Sequence, residues 1–504
     1  MVHPQPNRWL VLATVILAFI PIVIDMTILH IAVPTLTAAL GASATEALWI
    51  IDIYSLMMAG LLVPMGTLAD RVGHRPMMLI GLSVFTIASV MAAFSPAPLL
   101  LIAARALMAV GGSMIMPSIL ALIRQSFEDE RERALGLGVW SAVASVGAAL
   151  GPLAGGALLE HFWWGSVFLI NLPVMLVVLP TAWFVLPRQP SKPLGAWNIQ
   201  QALILILGLI ATAYAIKSGF MPTGEGVFGT LTLILGVAML VWFARIQRAS
   251  ATPMLDLSLF ATPVFSVGLL MAFVASGAMA GFELVLAQEL QYVFGKTPLD
   301  AGLFMLPLAA ASAAVSPFSG MLTERFGLRA VATASMGAAA ASFFLLGRVS
   351  VDASPLIAAA LLGLLGTALG CGLLASSVAI MSSAPTDKAG AAGSLEATGY
   401  ELGAGLGITF FGVLLGAAYH SHFSGAMGVL GMVPATAANS INDAMTAAQT
   451  IGGAEGDAII ATATRAFSSA HQTVLGAAAL LLGALTILVF CALRHAPRPQ
   501  EPQG

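Results

Sequence analysis

The stretch GTLADRVGHRP, residues 66–76, occurs again in altered form as GMLTERFGLRA, residues 320–330. The positions that the two stretches share are Gly66, Asp70, Arg71, Gly73 and Arg75 in the first, and Gly320, Glu324, Arg325, Gly327 and Arg329 in the second. Two copies of one Gly-x-Leu-x-acid-Arg-x-Gly-x-Arg turn predict that the chain contains a duplicated half.

The composition is that of a chain that spends most of its length in lipid. Of the 504 residues, 59% are hydrophobic and 9% are charged, whereas a soluble domain carries about 25% charged residues. A net charge of −3 provides no basic surface for nucleic acid, which we exclude as a partner. Cys371 and Cys491 lie in apolar runs and indicate neither a disulfide framework nor a metal cluster. We therefore predict a polytopic membrane protein with no metal and no cofactor other than protons.

About fourteen apolar runs approach the roughly 20 residues that a spanning helix needs. They lie at about 9–32, 46–68, 77–95, 98–122, 134–158, 165–186, 199–217, 227–245, 263–289, 300–322, 329–348, 355–378, 389–417 and 473–493. The predicted fold class is all-α and integral to the membrane, with fourteen transmembrane helices. Because the number is even, both termini lie on the same side.

The orientation follows from the basic residues of the loops, since the cytoplasmic side of a membrane protein carries the excess of Lys and Arg. With the N-terminus inside, the outer loops contain only Lys217, Lys296, Arg348 and Arg465, and the inner loops contain many more. Both termini are therefore predicted to be cytoplasmic. Arg105 is left as the one basic residue inside a span.

The longest connection, about 418–472, is predicted to lie outside. Two segments, NSINDAMTAAQ (439–449) and GDAIIATATRAFSSA (456–470), have periods that would suit short amphipathic helices over the mouth of the protein. Because the connection is rich in Ala, Gly, Ser and Thr, we favour a solvated, variable loop instead. His420 and His422 have no third ligand at a suitable spacing, so no metal site is predicted there.

The repeat divides the chain into units. The predicted units are an N-terminal six-helix bundle (1–190), two inserted transmembrane helices (191–250), the first five helices of a C-terminal bundle (251–417), the outer loop (418–472), and the last helix with a cytoplasmic tail (473–504). Transporters are commonly built from such repeats, with the binding site near the bilayer midplane where the halves meet.

Further motifs accompany the turn in a fixed order: DMTILHIAVP (25–34), WIIDIYSL (49–56), GAALGPLAGG (147–156) and FLINLP (168–173). GTLADRVGHRP resembles the signature of the major facilitator superfamily (MFS), and the other motifs are similar to patterns of its fourteen-span drug/proton antiporter branch. Within that branch the chain most resembles the Smv-type methyl viologen and Qac-type quaternary ammonium efflux pumps. It departs from the family in span 4, where Met108 and Ala109 replace the usual Gln and Gly, and at His30, where Asn is usual.

The resemblance implies a function, a location and a fold. It implies two six-helix MFS bundles with two added helices, in a multi-pass protein of the bacterial cytoplasmic membrane that works as a monomer. The expected activity is proton-coupled export of lipophilic mono- and dicationic compounds by alternating access. The expected substrates are quaternary ammonium antiseptics, biguanides, dyes and methyl viologen.

Apart from Glu46 and Asp300 at the first positions of their spans, six acids lie within the predicted spans, namely Asp25, Asp52, Glu283, Glu289, Glu396 and Glu401. Charged groups at this depth are costly, and those present usually mark a substrate or ion path. We hypothesise that Asp25 and either Glu396 or Glu401 couple protons, while Asp52 and Glu283 favour cationic drugs. Residues five apart lie roughly 140° apart around a helix, so Glu396 and Glu401 need not face one chamber. Glu289 could instead lie at the water interface.

Other residues of the spans would support these acids. Arg105 would be a counter-ion that keeps an acid charged, or else a brace for backbone carbonyls. The faces of Trp49, Tyr54, Phe282 and Tyr400 would attract cations. Because a proton and a cationic drug compete for the same carboxylate, this competition combined with alternating access is sufficient for antiport.

Two sets of residues are candidate gating elements, namely the residues of the duplicated turn and a glycine stripe with a proline in span 5. Asp70 and Arg75 of the duplicated turn would pair with each other or with a helix end, and the family resemblance implies that this cluster latches the inner gate in the outward-open state. Gly147, Gly151 and Gly155 recur every fourth residue and allow a neighbouring helix to approach closely, while Pro152 bends span 5. A similar stripe lies in span 13 at Gly399, Gly403 and Gly407.

Other functions remain open at this point. The same architecture would suit an exporter of an endogenous metabolite, peptide or lipid. An intramembrane enzyme has no support, because the chain lacks HExxH, GxSxG and Walker-type motifs. We therefore predict a transporter and not an enzyme.

Overall fold

The computed structural model describes residues 7–127, 129–187, 198–219, 226–250, 253–349, 354–385, 388–427 and 434–495. Within these ranges the chain forms helices joined by short turns and contains no β-strand. Fourteen helices are long and apolar enough to cross a membrane. The predicted all-α, fourteen-span fold is therefore confirmed.

The first half contains α1 (Arg8–Leu40), α2 (Ala44–Val72), α3 (His74–Ala93), α4 (Pro98–Ser126), α5 (Glu130–His161) and, after a single turn at Ser166–Leu169, α6 (Asn171–Val185). The inserted pair is α7 (Ile199–Gly219) and α8 (Gly226–Ala249). The second half contains α9 (Pro263–Gln288), α10 (Pro298–Phe326), α11 (Leu328–Leu346), α12 (Pro355–Ser383), α13 (Ala389–Met427) and α14 (Gly453–Ala492). A π-helical turn, Glu289–Val293, continues α9, and a cap helix, Ile441–Ile451, lies between α13 and α14. Short 3₁₀ turns occur at Leu257–Ala261, Ala435–Ala438 and Leu493–His495.

The boundaries predicted at 190/191 and 250/251 touch residues outside the described ranges. Arg188 and Lys192, which contribute to the inner loops of the sequence prediction, lie there too.

The duplicated turn has the same backbone geometry in both halves. Gly73 ends α2 with φ 106° and ψ 141°, and Gly327 ends α10 with φ 83° and ψ 146°. A positive φ of this kind is readily adopted by glycine and rarely by other residues. The two glycines of the repeat are therefore explained by the sharp reversal between the second and third helices of each half.

The arginine that follows each of these glycines also has the same role twice. Arg75 donates a hydrogen bond to the carbonyl of Trp183 at 2.6 Å, and its guanidinium lies 5.4 Å from the centre of that ring. Arg329 donates to the carbonyl of Phe490 at 2.9 Å and lies 4.0 Å from the centre of its ring. Each arginine thus fastens the third helix of its half to the inner end of the sixth.

The glycine stripes make close helix contacts in equivalent places. In the first half the stripe on α5 faces α1, where a Cβ on Gly151 would lie 1.9 Å from the Thr27 hydroxyl. In the second half the stripe on α13 faces α9, where a Cβ on Gly407 would lie 2.3 Å from the backbone of Gly277. Both positions require glycine because the neighbouring helix leaves no room for a side chain.

The outer connection is mostly helical in its described part, so the favoured interpretation of a solvated loop is wrong. Helix α13 continues to Met427, and α14 begins at Gly453 rather than near residue 473. The cap helix buries Ile441, Ala444 and Ala448, which recur at helical spacing. The predicted amphipathic period thus outweighs the polar composition: the first segment forms the cap helix, and the second forms the start of α14.

The two halves meet through their outer ends. The Gln291 amide donates to the Ile31 carbonyl at 3.0 Å, and the hydroxyls of Thr37 and Tyr292 are 3.5 Å apart. Gly156 of α5 lies against the backbone of Leu299 at the start of α10. These contacts close the outer side of the seam between the halves.

Candidate transport site

Asp25 of α1 forms a buried ion pair with Arg105 of α4. The guanidinium donates to one carboxylate oxygen of Asp25, and its Nε donates to the Ile50 carbonyl at 3.2 Å. It also lies over the Tyr54 ring, 4.7 Å from the centroid. Arg105 is therefore both a counter-ion and a brace for the backbone, the two roles that the sequence left open.

Asp52 of α2 forms a second buried ion pair, with Lys217 of the inserted helix α7. The ammonium lies 2.9 Å from Oδ1 and 2.8 Å from Oδ2. The prediction that Lys217 lies in an outer loop is wrong, because α7 continues to Gly219 and carries the lysine into the bundle. A buried carboxylate opposite it compensates the cost of placing a charge there.

The third acid is Glu283 of α9. Its Oε2 lies 3.0 Å from Nδ1 of His30 in α1, and this contact connects the two halves. Glu289, one and a half turns further on, contacts His471 of α14. The interpretation of Glu289 as a residue of the water interface is wrong, since its side chain is buried against that histidine. Phe282 packs edge-on against Phe343 at 5.2 Å and does not face a cation among the described residues.

The two acids of α13 have hydroxyl partners. Glu396 accepts a hydrogen bond from the Tyr400 hydroxyl at 2.9 Å and interacts with Ser377 of α12. Glu401 is bonded to Ser55 of α2, across the seam. Among the described residues neither acid has a cation within ion-pair distance. The two carboxylates therefore face different neighbours, as their spacing predicts.

Three buried polar atoms around Arg105 and Glu401 lack a hydrogen-bond partner among the residues that the structure describes. They are Oδ1 of Asp25, the hydroxyl of Tyr54 and Oε2 of Glu401. Asp25, Glu401 and Arg105 all act electrostatically on the Tyr54 hydroxyl, so these groups form one neighbourhood. Unsatisfied buried polar atoms are uncommon and call for an explanation. We take this neighbourhood as the centre of the candidate transport site.

Two of the four predicted aromatic residues do contact cations, but the cations belong to the protein. Trp49 faces Lys217 with 3.5 Å between the ammonium and the ring centroid, and Tyr54 faces Arg105. The Tyr400 hydroxyl instead donates a hydrogen bond to Glu396.

The gating residues of the first turn lie at the end of the helix bundle that the sequence predicts to be cytoplasmic. Asp70 is largely exposed and 3.4 Å from Nε2 of His74, and Arg71 is exposed. Arg75 bonds to α6 of its own half rather than to a helix end across the seam. Gly66 lies opposite Pro117 at ordinary contact distance. The proposed latch belongs to a state with a closed inner gate, and it stays a prediction.

Three partners of these acids were missed or undervalued in the sequence. The sequence singles out His30 only as a departure from the family pattern, it predicts Lys217 as a loop residue, and it does not single out His471. The presence of acids within the spans itself predicts that such partners exist, because each buried carboxylate needs a proton or a cation. The pairing itself depends on which helices are neighbours, and the local pattern does not give this.

Two equivalent six-helix halves around a buried, charged seam define a multi-pass membrane transporter. The family model described as Major Facilitator Superfamily matches residues 15–408. The chain belongs to this family, and the resemblance inferred from its motifs is confirmed.

Relatives along the whole chain are bacterial efflux and resistance proteins. The chain is 43% identical to the methyl viologen resistance protein SmvA of Salmonella typhimurium strain 14028s, over 98% of this chain and 99% of that protein. It is 35% identical to the multidrug efflux pump LfrA of Mycolicibacterium smegmatis, over 97% of each. Among solved structures, a bacterial homologue of the human lysosomal transporter Spinster, inward-facing and unoccupied, has a TM-score of 0.68 at 18% identity and 98% coverage of both chains. That likeness concerns the fold alone.

Proposed function

We propose that this protein is a proton-coupled exporter of lipophilic mono- and dicationic compounds. The observation that carries the proposal is Glu401, a carboxylate buried at the seam with a serine as its partner and no cation beside it among the described residues. Burying a charge is costly unless it is paired. Glu401 therefore needs either a proton or a positively charged guest.

Competition between a proton and a cationic substrate for Glu401 is the basis of antiport. A cation that reaches Glu401 releases its proton, and a proton that returns to Glu401 releases the cation. If each exchange takes place on a different side of the membrane, the proton gradient drives export. Each net charge moved across the membrane is worth about 2.3 kcal/mol per 100 mV, so an inside-negative potential assists export only when the entering protons carry more charge than the cation that leaves.

The relatives support the substrate class. Methyl viologen is a flat dication, and SmvA is named for resistance to it. We propose quaternary ammonium antiseptics, biguanides and dyes as further substrates, because they combine a positive charge with apolar surface. Both walls of the site come from one chain, which supports a monomer as the working unit.

The test uses purified protein in liposomes with an imposed pH gradient, and ethidium and methyl viologen as substrates. The wild type should release protons when substrate is added and should accumulate substrate against its gradient. Glu401→Gln should lose both, because an amide exchanges no proton.

Glu455→Gln is the matched control, since it removes an exposed acid at the start of α14. It should behave as the wild type. Substrate-dependent proton release that persists undiminished in Glu401→Gln would overturn the role of this residue. Transport that is indifferent to the pH gradient in the wild type would overturn proton coupling itself.

A further inference from the structure

Lys217 and the groups around its ammonium come from three different units of the fold. Asp52 and Trp49 come from α2 in the first half, and Thr409 comes from α13 in the second. Lys217 itself comes from the inserted pair. The Thr409 hydroxyl donates to Oδ2 of Asp52 at 2.6 Å, so the carboxylate is held from both sides.

These groups form a recognition site for an alkylammonium ion. A carboxylate supplies the opposite charge, and the indole face attracts a cation through its quadrupole, most strongly when water is excluded. The ammonium of Lys217 lies 3.5 Å from the centre of the Trp49 ring and is 2% exposed as a side chain. A cation site with this chemistry is thus filled by the protein's own side chain.

A lysine is well suited to a reversible role in such a site. Its charge is a compact point at the end of a flexible four-carbon stem, unlike the rigid fork of an arginine. The site also lies where the first half, the insert and the second half meet. A relative movement of the halves therefore changes the distance between Asp52 and Thr409 and loosens the contact that holds the carboxylate.

We infer that Lys217 is a tethered cation that occupies a cation subsite formed by Asp52, Trp49 and Thr409, and that a positively charged, N-alkylated nitrogen of the cargo exchanges with it. This inference rests on the proposed export of cations, and it gives the inserted helices a part in substrate binding. Exchange of one cation for another leaves the Asp52 carboxylate paired throughout.

The experiment measures equilibrium binding of ethidium to purified protein in detergent, with no gradient present. Lys217→Met removes the resident cation, and ethidium should bind about tenfold more tightly, which corresponds to about 1.4 kcal/mol. Lys217→Arg keeps a charge on the stem and should show no gain in affinity over the wild type. The double variant Asp52→Asn/Lys217→Met should lose the gain, because no carboxylate remains.

Lys388→Met is the matched control, because it removes a lysine charge from an ion pair with Asp256 outside the spans. It should leave ethidium binding unchanged. A purely structural role for Lys217 predicts weaker binding after its removal, so the sign of the change separates the two roles. Thermal unfolding in the same detergent verifies that each variant is folded.

Equal affinity in folded Lys217→Met and wild type would overturn the inference, as would a gain that persists in the double variant. If Lys217→Met does not fold, the double variant, which leaves no lone charge, is compared with Asp52→Asn. Equal ethidium affinity is then expected, since without the carboxylate the lysine has no subsite to occupy, and tighter binding by the double variant would overturn the inference. Failure of proton-coupled transport by the wild type in liposomes leaves this binding result intact and overturns only the proposed function.

Discussion

The acids of α1 and α2 and the acids of α13 are all buried, but they face different partners. Asp25 and Asp52 are each paired with a basic side chain of the protein, Arg105 or Lys217. Glu396 and Glu401 are opposite hydroxyl groups. Depth in the membrane is therefore a poor guide to the role of an acid.

The difference concerns which group balances the charge of the buried carboxylate. A carboxylate that is paired with a basic side chain of the protein already has a partner for its charge. A carboxylate that faces a hydroxyl is free to follow the proton concentration or the arrival of a cationic substrate. The comparison favours Glu401 as the exchanging group and Asp25 with Arg105 as a fixed element beside it.

The largest effect is expected from Arg105→Met. This change leaves Asp25 buried without its cation, and breaking a buried pair in this way costs about 3–5 kcal/mol of stability. We expect a clear drop in the unfolding temperature of the purified protein in detergent. The double variant Asp25→Asn/Arg105→Met should regain most of it, because no lone charge remains. A single variant as stable as the wild type would contradict the comparison.

An intermediate effect is expected from Asp25→Asn and a smaller one from Glu401→Gln. Asp25→Asn leaves the Arg105 charge without its carboxylate, whereas Glu401→Gln leaves only a serine hydroxyl that an amide can still bond. The loss from Glu401→Gln should be about 1 kcal/mol or less, the size of one neutral hydrogen bond. Thermal unfolding of the two variants side by side measures the difference. Equal losses would mean that the partner of the acid does not matter.

The smallest effect is expected from Lys388→Met, which opens an ion pair outside the spans. A hydrogen bond from Lys388, assisted by Ser258, lowers the pKa of Asp256 from 3.8 to about 2. Because the pKa is lowered on folding, the stabilisation is complete above pH 3.8 and is lost as the pH falls toward 2. The difference in unfolding temperature between wild type and variant should therefore be small and the same at pH 7 and pH 5. A difference that shrinks between these two values would show that another group titrates with the pair.

Much of the fold is predictable from the sequence, because its determinants are local. Apolar runs of spanning length give the fourteen helices, and the repeated turn with Gly73 and Gly327 gives the two halves. The outer connection is an exception. Its polar composition predicts a solvated loop, but one face of the cap helix is buried.

The acids of the site are predictable for the same reason, and their partners are not. A carboxylate inside an apolar run is visible in the sequence. That Asp52 meets Lys217, 165 positions later, depends on α7 packing beside α2. Likewise the contact between Glu289 and His471 depends on the helical extension of α14 beyond the predicted span.

The length of α13 and α14 has a consequence for the shape of the outer surface. These helices contain 39 and 40 residues, so each is about 60 Å long, roughly twice the thickness of the hydrocarbon layer. They stand above the lipid headgroups as a pillar on one half of the molecule, with the cap helix leaning against it. A compound that leaves the protein therefore emerges beside a wall on one flank and open solvent on the other, and a binding protein raised against the outer face meets that pillar first.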